Sequence, residues 1–185
     1  MSLLQEVYLS QNSAPLCDDD GQLSQEDMAN LMQMPNLKKL TFDYGSLTST
    51  CNISMLTSLT TVEFDSNQLH TIEPSHFRGL DLVNHISLKD NPIMTLPNPG
   101  LPNLRKIDLQ GVDTLICDCS VQYLKHLSPD SIDAPCQQPL SMKGISIRDI
   151  RAEEFICSTS RFIFYGIPIS RLYFPPKKCK NCHRN

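Results

Sequence analysis

The chain has 185 residues, of which 40% are hydrophobic and 6% are aromatic, and its formal net charge is −4. This size fits one globular domain or a short solenoid rather than two full domains, and the acidic balance argues against a general nucleic-acid binder. The longest apolar run, from Phe162 to Phe174, contains Arg171 and is too short to span a bilayer.

Cysteine usage indicates a location outside the cell. Eight cysteines form a high and even count for a chain of this length, which indicates disulfides and an oxidising compartment. Residues 1–30 nevertheless contain no apolar core of a signal peptide. We therefore expect an extracellular or cell-surface protein, although this sequence shows no route of secretion.

A repeated pattern organises the first two thirds of the chain. Residues 59–69 read L-x-x-V-x-F-x-x-N-x-L, in which apolar residues alternate as in a strand and an asparagine follows it. This pattern resembles the leucine-rich-repeat signature. Related stretches begin near residues 4, 37, 59, 83 and 104. The inward-facing positions outside the central stretch are Leu4, Val7, Leu9, Asn12, Ala14, Leu37, Leu40, Phe42, Gly45, Leu47, Val83, Ile86, Leu88, Asn91, Ile93, Leu104, Ile107, Leu109 and Val112.

The pattern predicts an α/β repeat fold, a leucine-rich-repeat solenoid of about five coils over residues 1–115. We expect a parallel sheet on the concave side and an irregular convex side, with Phe77 stacked in the core. Asn67 is expected to cap backbone groups of neighbouring coils. The first coil has no cap before it, so the sequence favours a piece of a longer ectodomain, with cover by the tail or a partner chain as the alternative.

The long first interval contains an insertion with a predicted helix at about residues 23–34. Ser24 is a suitable N-cap with Asp27 three residues later. Leu23, Met28, Leu31 and Met32 recur at helical spacing, so we expect the methionines to fill the core. Residues 18–24 also imitate part of a calcium loop, but Leu16 would occupy the first ligand position, so a solvated acidic loop is the preferred interpretation.

Two cysteines and a sequon lie on the coils that flank this insertion. Cys17 and Cys51 occupy nearly equivalent positions of successive coils, about one strand spacing apart, which suits a disulfide. Asn52-Ile53-Ser54 is an N-glycosylation sequon. The sequence therefore predicts a Cys17–Cys51 bond and makes Asn52 a candidate glycosylation site.

Residues 116–157 form a second region with its own cysteine pattern. Cys117-Asp118-Cys119, Cys136, the run Pro139 to Gly144 and a closing Phe155-Ile156-Cys157 follow one another. They resemble the C-terminal cysteine-rich cap of extracellular leucine-rich-repeat proteins such as Toll-like receptors, Slit proteins and neuronal repeat receptors. Tyr123, on a predicted short amphipathic helix, stands where that family often has tryptophan.

The resemblance implies the pairings Cys117–Cys136 and Cys119–Cys157 in a cap that covers the open end of the solenoid. A zinc site is the rival interpretation, but C-x-C is not the usual zinc spacing. We expect no cofactor and no metal.

Residues 158–185 form a basic, aromatic tail with six Lys/Arg and no acid, expected to be poorly ordered. It ends in Cys179-Lys180-Asn181-Cys182-His183, the spacing of a c-type haem attachment. No room for an enclosing helix follows, so a local Cys179–Cys182 disulfide is the preferred interpretation. The interleaved basic and aromatic residues also allow contact with anionic lipid.

Function is expected on the concave sheet, since no catalytic constellation is present and we expect no enzyme. The candidate binding residues are Tyr8, Asp43, Tyr44, Glu63, Asp65, His85, Lys89 and Asp108. Their acidic centre favours a partner with a basic patch. The sequence predicts an extracellular recognition or adhesion module for a protein or glycan ligand. A redox, haem or metal protein acting through the tail and a cytosolic repeat scaffold are the alternatives.

Overall fold

The parallel sheet is built from one short strand in each coil. The computed structural model describes residues 3–9, 16–18, 20–131 and 134–155. The strands are β1 (Glu6–Tyr8), β2 (Lys39–Thr41), β3 (Thr61–Glu63), β4 (His85–Ser87) and β5 (Lys106–Asp108). They form one parallel sheet in the order β1-β2-β3-β4-β5. Because every strand neighbours the next strand along the chain, the fold is the predicted leucine-rich-repeat solenoid.

The remaining elements are short helices on the connections. α1 (Gln25–Met32) lies between β1 and β2, and the others are 3-10 helices. The 3-10 helices are Pro74–Phe77, Cys119–His126, Leu140–Met142, Ile147–Asp149 and Ala152–Glu154. Among the described residues, no helix is both long and apolar enough to cross a membrane.

The core is a stack of inward-facing side chains, one layer to each coil. The rings of Phe42 and Phe64 stack with centroids 4.9 Å apart, and Phe77 meets Phe64 edge-on at 6.3 Å. Phe77 therefore lies in the core, as the sequence predicted. Leu4, in the first coil, is 48% exposed and so is not buried as the inward-facing residues of the later coils are.

Asn67 and Asn91 join the coils at the corner after each strand. Asn67 Nδ2 donates to the backbone oxygens of Phe42, Phe64 and Asp65, at 2.6, 3.0 and 3.2 Å. Asn91 repeats this arrangement one coil later and accepts from the backbone N–H of Leu69 at 3.0 Å. These bonds satisfy buried backbone groups where the chain turns, as the sequence predicted.

The insertion is fastened to the convex side of the second coil. Cys17 and Cys51 form a disulfide with Cα atoms 5.7 Å apart, which is the pairing expected from the sequence. Asn52 donates its backbone N–H to the oxygen of Gly21 at 2.6 Å. Asp18 Oδ1 accepts the backbone N–H groups of Asp20 and Gln22, so this aspartate has a structural role in the acidic loop.

Helix α1 begins where the sequence predicted and differs in what it buries. Ser24 is the N-cap, and its side chain accepts from the backbone N–H of Asp27. Leu31 is buried, whereas Met32 is 51% exposed. The prediction that Met32 fills the core is wrong, because the helix buries one narrow stripe and this residue lies beside it.

The cap region is held by a disulfide and by two cations that bind carbonyl groups. Cys117 and Cys136 form a disulfide, as the resemblance implied. Lys125 Nζ donates to the oxygens of Ile147 at 3.3 Å and Arg148 at 2.8 Å, and to that of Ile150. The guanidinium of Arg148 in turn donates to Ser128, Pro129 and Ser131. Segments that lack regular pairing thus have their carbonyl groups satisfied by charged donors.

Several predictions concern residues outside the described ranges. They are Asn12, Ala14, the partner of Cys119 at Cys157, the Cys179–Cys182 pair and the tail from residue 158. Cys119 is disulfide-bonded, and its sulfur lies 3.8 Å from the backbone oxygen of Phe155. The Cys119–Cys157 pairing and the region boundaries at residues 115 and 157 stay predictions.

Candidate functional site: the concave face

Strand register arranges the predicted binding residues in columns across the concave face. Pairing aligns Tyr8, Thr41, Glu63, Ser87 and Asp108, and it aligns Glu6, Lys39, Thr61, His85 and Lys106. A third column, two residues beyond the first, contains Asp43, Asp65 and Lys89. Because residues two apart in a strand share a face, all these side chains lie on one surface.

Lys39 organises the β1–β3 side of this face. Its Nζ pairs with Glu63 Oε1 at 2.8 Å and lies 5.7 Å from the centre of the Tyr8 ring. The other oxygen of Glu63 accepts from the hydroxyl of Thr41 at 3.1 Å. The carboxylate is the main cause of the raised pKa of Lys39. Lys39 was not among the predicted binding residues, although the column that contains it lies beside the column that contains Glu63.

Lys89 has the corresponding role on the β4–β5 side. Its Nζ lies 3.7 Å from Asp65 Oδ2 and 3.5 Å from Asp108 Oδ2. Asp108 is 3% exposed, so this ion pair is shielded from water on the aspartate side. The acidic centre expected from the sequence is therefore largely neutralised by Lys39 and Lys89.

Asp43 is the exception among the predicted acidic residues. Its Oδ1 accepts the backbone N–H of Asp65 at 2.8 Å, and no lysine or arginine of the described residues forms an ion pair with it. Burial, followed by the nearby charges of Asp65 and Glu63, raises its pKa from 3.8 to about 6. Asp43 thus has a hydrogen-bond partner for its carboxylate but no ion pair with a lysine or arginine of the described residues.

Tyr44, the next residue, is exposed and has an unusual backbone. Its side chain is 65% exposed, and its φ of 56° lies in the left-handed region. Ser66, Asp90 and Gly111 have positive φ at the same position of the following coils, so the corner of the coil requires this conformation. A bulky aromatic residue is disfavoured there. Tyr8, on β1, is the other exposed aromatic residue of the face, at 59%.

Two polar side chains near the middle of the face lack hydrogen-bond partners among the described residues. They are His85, through Nε2, and Ser87, through its hydroxyl, and both atoms are buried. Burial and the charge of Lys106 lower the pKa of His85, so the imidazole is the neutral form at neutral pH. Ser87 and Thr41 are almost fully buried, although their positions in the pattern suggest exposure.

The strand register brings seven of the eight predicted binding residues to one face, and Tyr44 lies at the corner beside Asp43. In the described part of the chain, no group of three or more His, Cys, Asp or Glu side chains is arranged to hold a metal ion. The surface offers two internally paired lysines, one carboxylate without a cation and two exposed tyrosines. Charged residues beside exposed tyrosines suit a protein partner better than a small substrate.

Residues 57–113 match the family model for leucine-rich repeats. Together with the one-strand coils and the asparagine corners, this match identifies residues 57–113 as leucine-rich repeats within the solenoid fold. The match covers the coils that contain Asn67 and Asn91, where the pattern is most regular.

Two solved structures are similar to this fold. Human 5T4, also called Wnt-activated inhibitory factor 1 or trophoblast glycoprotein, has a TM-score of 0.53 at 22% identity, over 68% of this chain and 50% of that one. A chain of the octameric complex of Latrophilin 3, Unc5D and FLRT2, with FLRT2 as the leucine-rich-repeat component, has a TM-score of 0.51 at 20% identity, over 66% and 40%. This chain thus spans half or less of the solved chains, and the likeness concerns the fold.

Proposed function

We propose that the protein is an extracellular recognition module whose concave face binds a basic segment of a partner protein. The observation that carries this proposal is the pair Asp43 and Tyr44. At the corner that follows β2, a carboxylate without an ion-pair partner among the described residues stands beside an exposed tyrosine. Tyrosine is enriched at the energetic centres of protein interfaces, and a carboxylate without a cation favours a lysine or arginine from the partner.

The backbone strain at Tyr44 supports a role in binding rather than in folding. Ser66, Asp90 and Gly111 occupy this corner in the later coils, and aspartate and glycine adopt the left-handed region more easily than tyrosine does. Strain at an exposed residue that contributes little to the core indicates a functional constraint. The charged form of Asp43 also has a free-energy cost, because the carboxylate is held in a half-buried position.

Location outside the cell is supported by the disulfides of the described chain. The Cys17–Cys51 and Cys117–Cys136 bonds staple the insertion and the cap, and such bonds persist in oxidising compartments. FLRT2 occurs with Latrophilin 3 and Unc5D in a solved complex, which makes a protein the favoured class of ligand over a glycan. No observation on the face favours an enzyme.

The test is a binding screen with matched variants at one corner. The secreted chain would be probed against an array of purified ectodomains, and each binder would be measured again with Tyr44→Gly and with Ser66→Gly. Both variants relax the same left-handed position, but only the first removes an exposed aromatic ring. We expect Tyr44→Gly to weaken binding by more than tenfold, a typical loss for an interface tyrosine, and Ser66→Gly to leave it unchanged.

Two results would contradict this function. Binders that respond equally to both variants would place the interface elsewhere on the chain. Loss of binding in Tyr44→Gly without any loss in Asp43→Asn would show that the partner does not use a basic segment at Asp43. Counting thiols under non-reducing denaturation tests the location, because eight free thiols would contradict an extracellular protein.

A further inference from the structure

The sequon Asn52-Ile53-Ser54 lies on the segment between β2 and β3, and its side-chain hydrogen bonds use Oδ1 of Asn52 rather than Nδ2. Asn52 Oδ1 accepts the hydroxyl of Ser54 at 2.8 Å and the backbone N–H of Ser54 at 3.2 Å. The carbonyl oxygen of the amide is thus fully engaged. The hydroxyl of Ser54 is oriented toward the carboxamide, as the N-x-[ST] acceptor pattern requires a hydroxyl at that position.

The amide nitrogen of Asn52 faces solvent. Within the described residues Nδ2 donates to no protein group. Nor is it one of the buried side-chain atoms that lack a partner, although Asn52 as a whole is half-buried. An amide nitrogen that is unpaired and not buried is open to water. Attachment of a sugar to Nδ2 would therefore break no hydrogen bond of the described residues.

The backbone around Asn52 is held in place, and the hydrogen bonds of Oδ1 to Ser54 orient its carboxamide. Its backbone N–H donates to Gly21 at 2.6 Å, and the preceding residue, Cys51, is in the disulfide with Cys17. The neighbours Cys51 and Ile53 are completely buried. The segment is remote in the coil from β2 and β3, so a group on Asn52 would leave the concave face uncovered.

A groove lies a few residues further along the same segment, and its walls combine apolar side chains with Thr57 and Ser58. It has a volume of about 250 Å³ between the end of α1 and the next coil, and Met32, Met34, Met55 and Leu56 contribute to its walls. Met55 is 59% exposed and Met32 is 51% exposed. The two exposed methionine side chains on this groove are accessible to solvent or to a covering group.

We propose that Asn52 carries an N-linked glycan and that its first sugars cover the rim of this methionine groove. The proposal rests on the extracellular location given above. In the transfer, a bond forms between Nδ2 and the anomeric carbon of the sugar. The bond from that carbon to a lipid pyrophosphate donor breaks, the pyrophosphate leaves, and a base takes the amide proton.

The test for attachment uses the full chain, directed into the secretory pathway of cultured animal cells by an added signal sequence. Ser54→Ala removes the acceptor hydroxyl, and Ser54→Thr retains it as a matched control. Among the described residues the Ser54 hydroxyl bonds only to Asn52, so we expect both variants to fold. We expect one glycan on the wild type and on Ser54→Thr, removed by peptide N-glycosidase with conversion of Asn52 to aspartate, and no glycan on Ser54→Ala.

The outcomes separate this proposal from the proposed function. A secreted, disulfide-bonded chain without a glycan would overturn the modification and leave the recognition role intact. A chain retained in the cell with reduced thiols would overturn both. Loss of ectodomain binding in Tyr44→Gly concerns the concave face alone and is measured on glycosylated and unglycosylated protein alike.

The shielding of the groove has its own readout. Dilute hydrogen peroxide oxidises accessible methionines, and peptide mass spectrometry reports each site. Met94, which is 43% exposed on a later coil, is the internal control. We expect the glycan to slow oxidation of Met55 several-fold and to leave Met94 unchanged. Equal rates at Met55 before and after enzymatic removal of the glycan would overturn the shielding.

Discussion

The carboxylate of Asp43 accepts a hydrogen bond from the backbone amide of Asp65, at 2.8 Å. One coil later, Asp65 Oδ1 accepts from the amide of Lys89 at 3.0 Å, so the two aspartates form a ladder just beyond the strand ends. The Oδ1 atom of Asp43 stabilises the fold as a hydrogen-bond acceptor, whereas its charge forms no ion pair among the described residues. Replacement by asparagine separates the two roles, because it retains an acceptor and removes the charge.

Asp43→Asn is expected to stabilise the protein above pH 6 and to have no effect near pH 4. The folded-state pKa of Asp43 is raised to about 6 by burial, so the folded state binds the proton more tightly than the unfolded chain. Stability of the wild type therefore falls as pH rises from about 4 to about 6. After allowance for solvent screening of a half-buried group, the gain at pH 7.5 should be about 1 kcal/mol.

Urea unfolding at pH 4.5 and pH 7.5 measures this difference. Asp81→Asn is the control, because Asp81 is an exposed carboxylate away from the concave face. A stability gain that is equal at the two pH values would show that the charge of Asp43 is not the cause.

Gly45→Ala is expected to destabilise the fold by about 1–3 kcal/mol, the cost of breaking a buried hydrogen bond. A Cβ at Gly45 would lie 2.7 Å from Asn67 Oδ1, which accepts the backbone N–H of Leu47 at 3.2 Å. The φ of Gly45 is not positive, so backbone strain does not contribute. Thermal unfolding of Gly45→Ala, Asn67→Ala and the double variant measures the coupling, and the double variant should cost less than the sum. Strict additivity would contradict the contact.

Tyr123→Phe is expected to stabilise the cap by about 1 kcal/mol. The hydroxyl oxygen of Tyr123 is buried, with no hydrogen-bond partner among the described residues, and burial strongly raises the pKa of the phenol. Removal of an unpaired buried hydroxyl eliminates its desolvation cost and retains the packing of the ring. Chemical denaturation compares it with Tyr123→Leu, which loses the ring and should be destabilised. A loss of stability in Tyr123→Phe would mean that the hydroxyl has a partner outside the described ranges.

Lys125→Met is expected to destabilise the cap by about 2–3 kcal/mol, since its ammonium group donates to the oxygens of Ile147, Arg148 and Ile150 and charged hydrogen bonds are the stronger ones. Lys143→Met, an exposed lysine of the same region, is the control and should be neutral. Limited proteolysis followed by mass spectrometry locates the first cuts, which should move into residues 143–155 in Lys125→Met alone. Identical cleavage patterns in the two variants would argue against this role.

The repeat and its register were predictable from the sequence because they depend on local periodicity. The alternation around Val62 and the spacing between coils decide which side chains face the core and which columns form, and β3 pairs with β2 and β4 as that spacing requires. The Ser24 cap was predictable because it depends on a residue three positions later in the insertion. The Cys17–Cys51 pair was predictable because the two residues occupy nearly equivalent positions of successive coils.

The chemical state of the concave face was decided by tertiary structure. The sequence predicts an acidic centre, but Lys39 pairs with Glu63 and Lys89 pairs with Asp65 and Asp108 across the sheet. Among the described residues, Asp43 has no ion-pair partner. A long, flexible side chain pairs with an opposite charge that lies within its reach in the folded protein, and the sequence does not contain these distances. The left-handed corner at Tyr44 and the carbonyl cluster around Lys125 were unpredictable for the same reason, because backbone angles and carbonyl directions exist only in the folded chain.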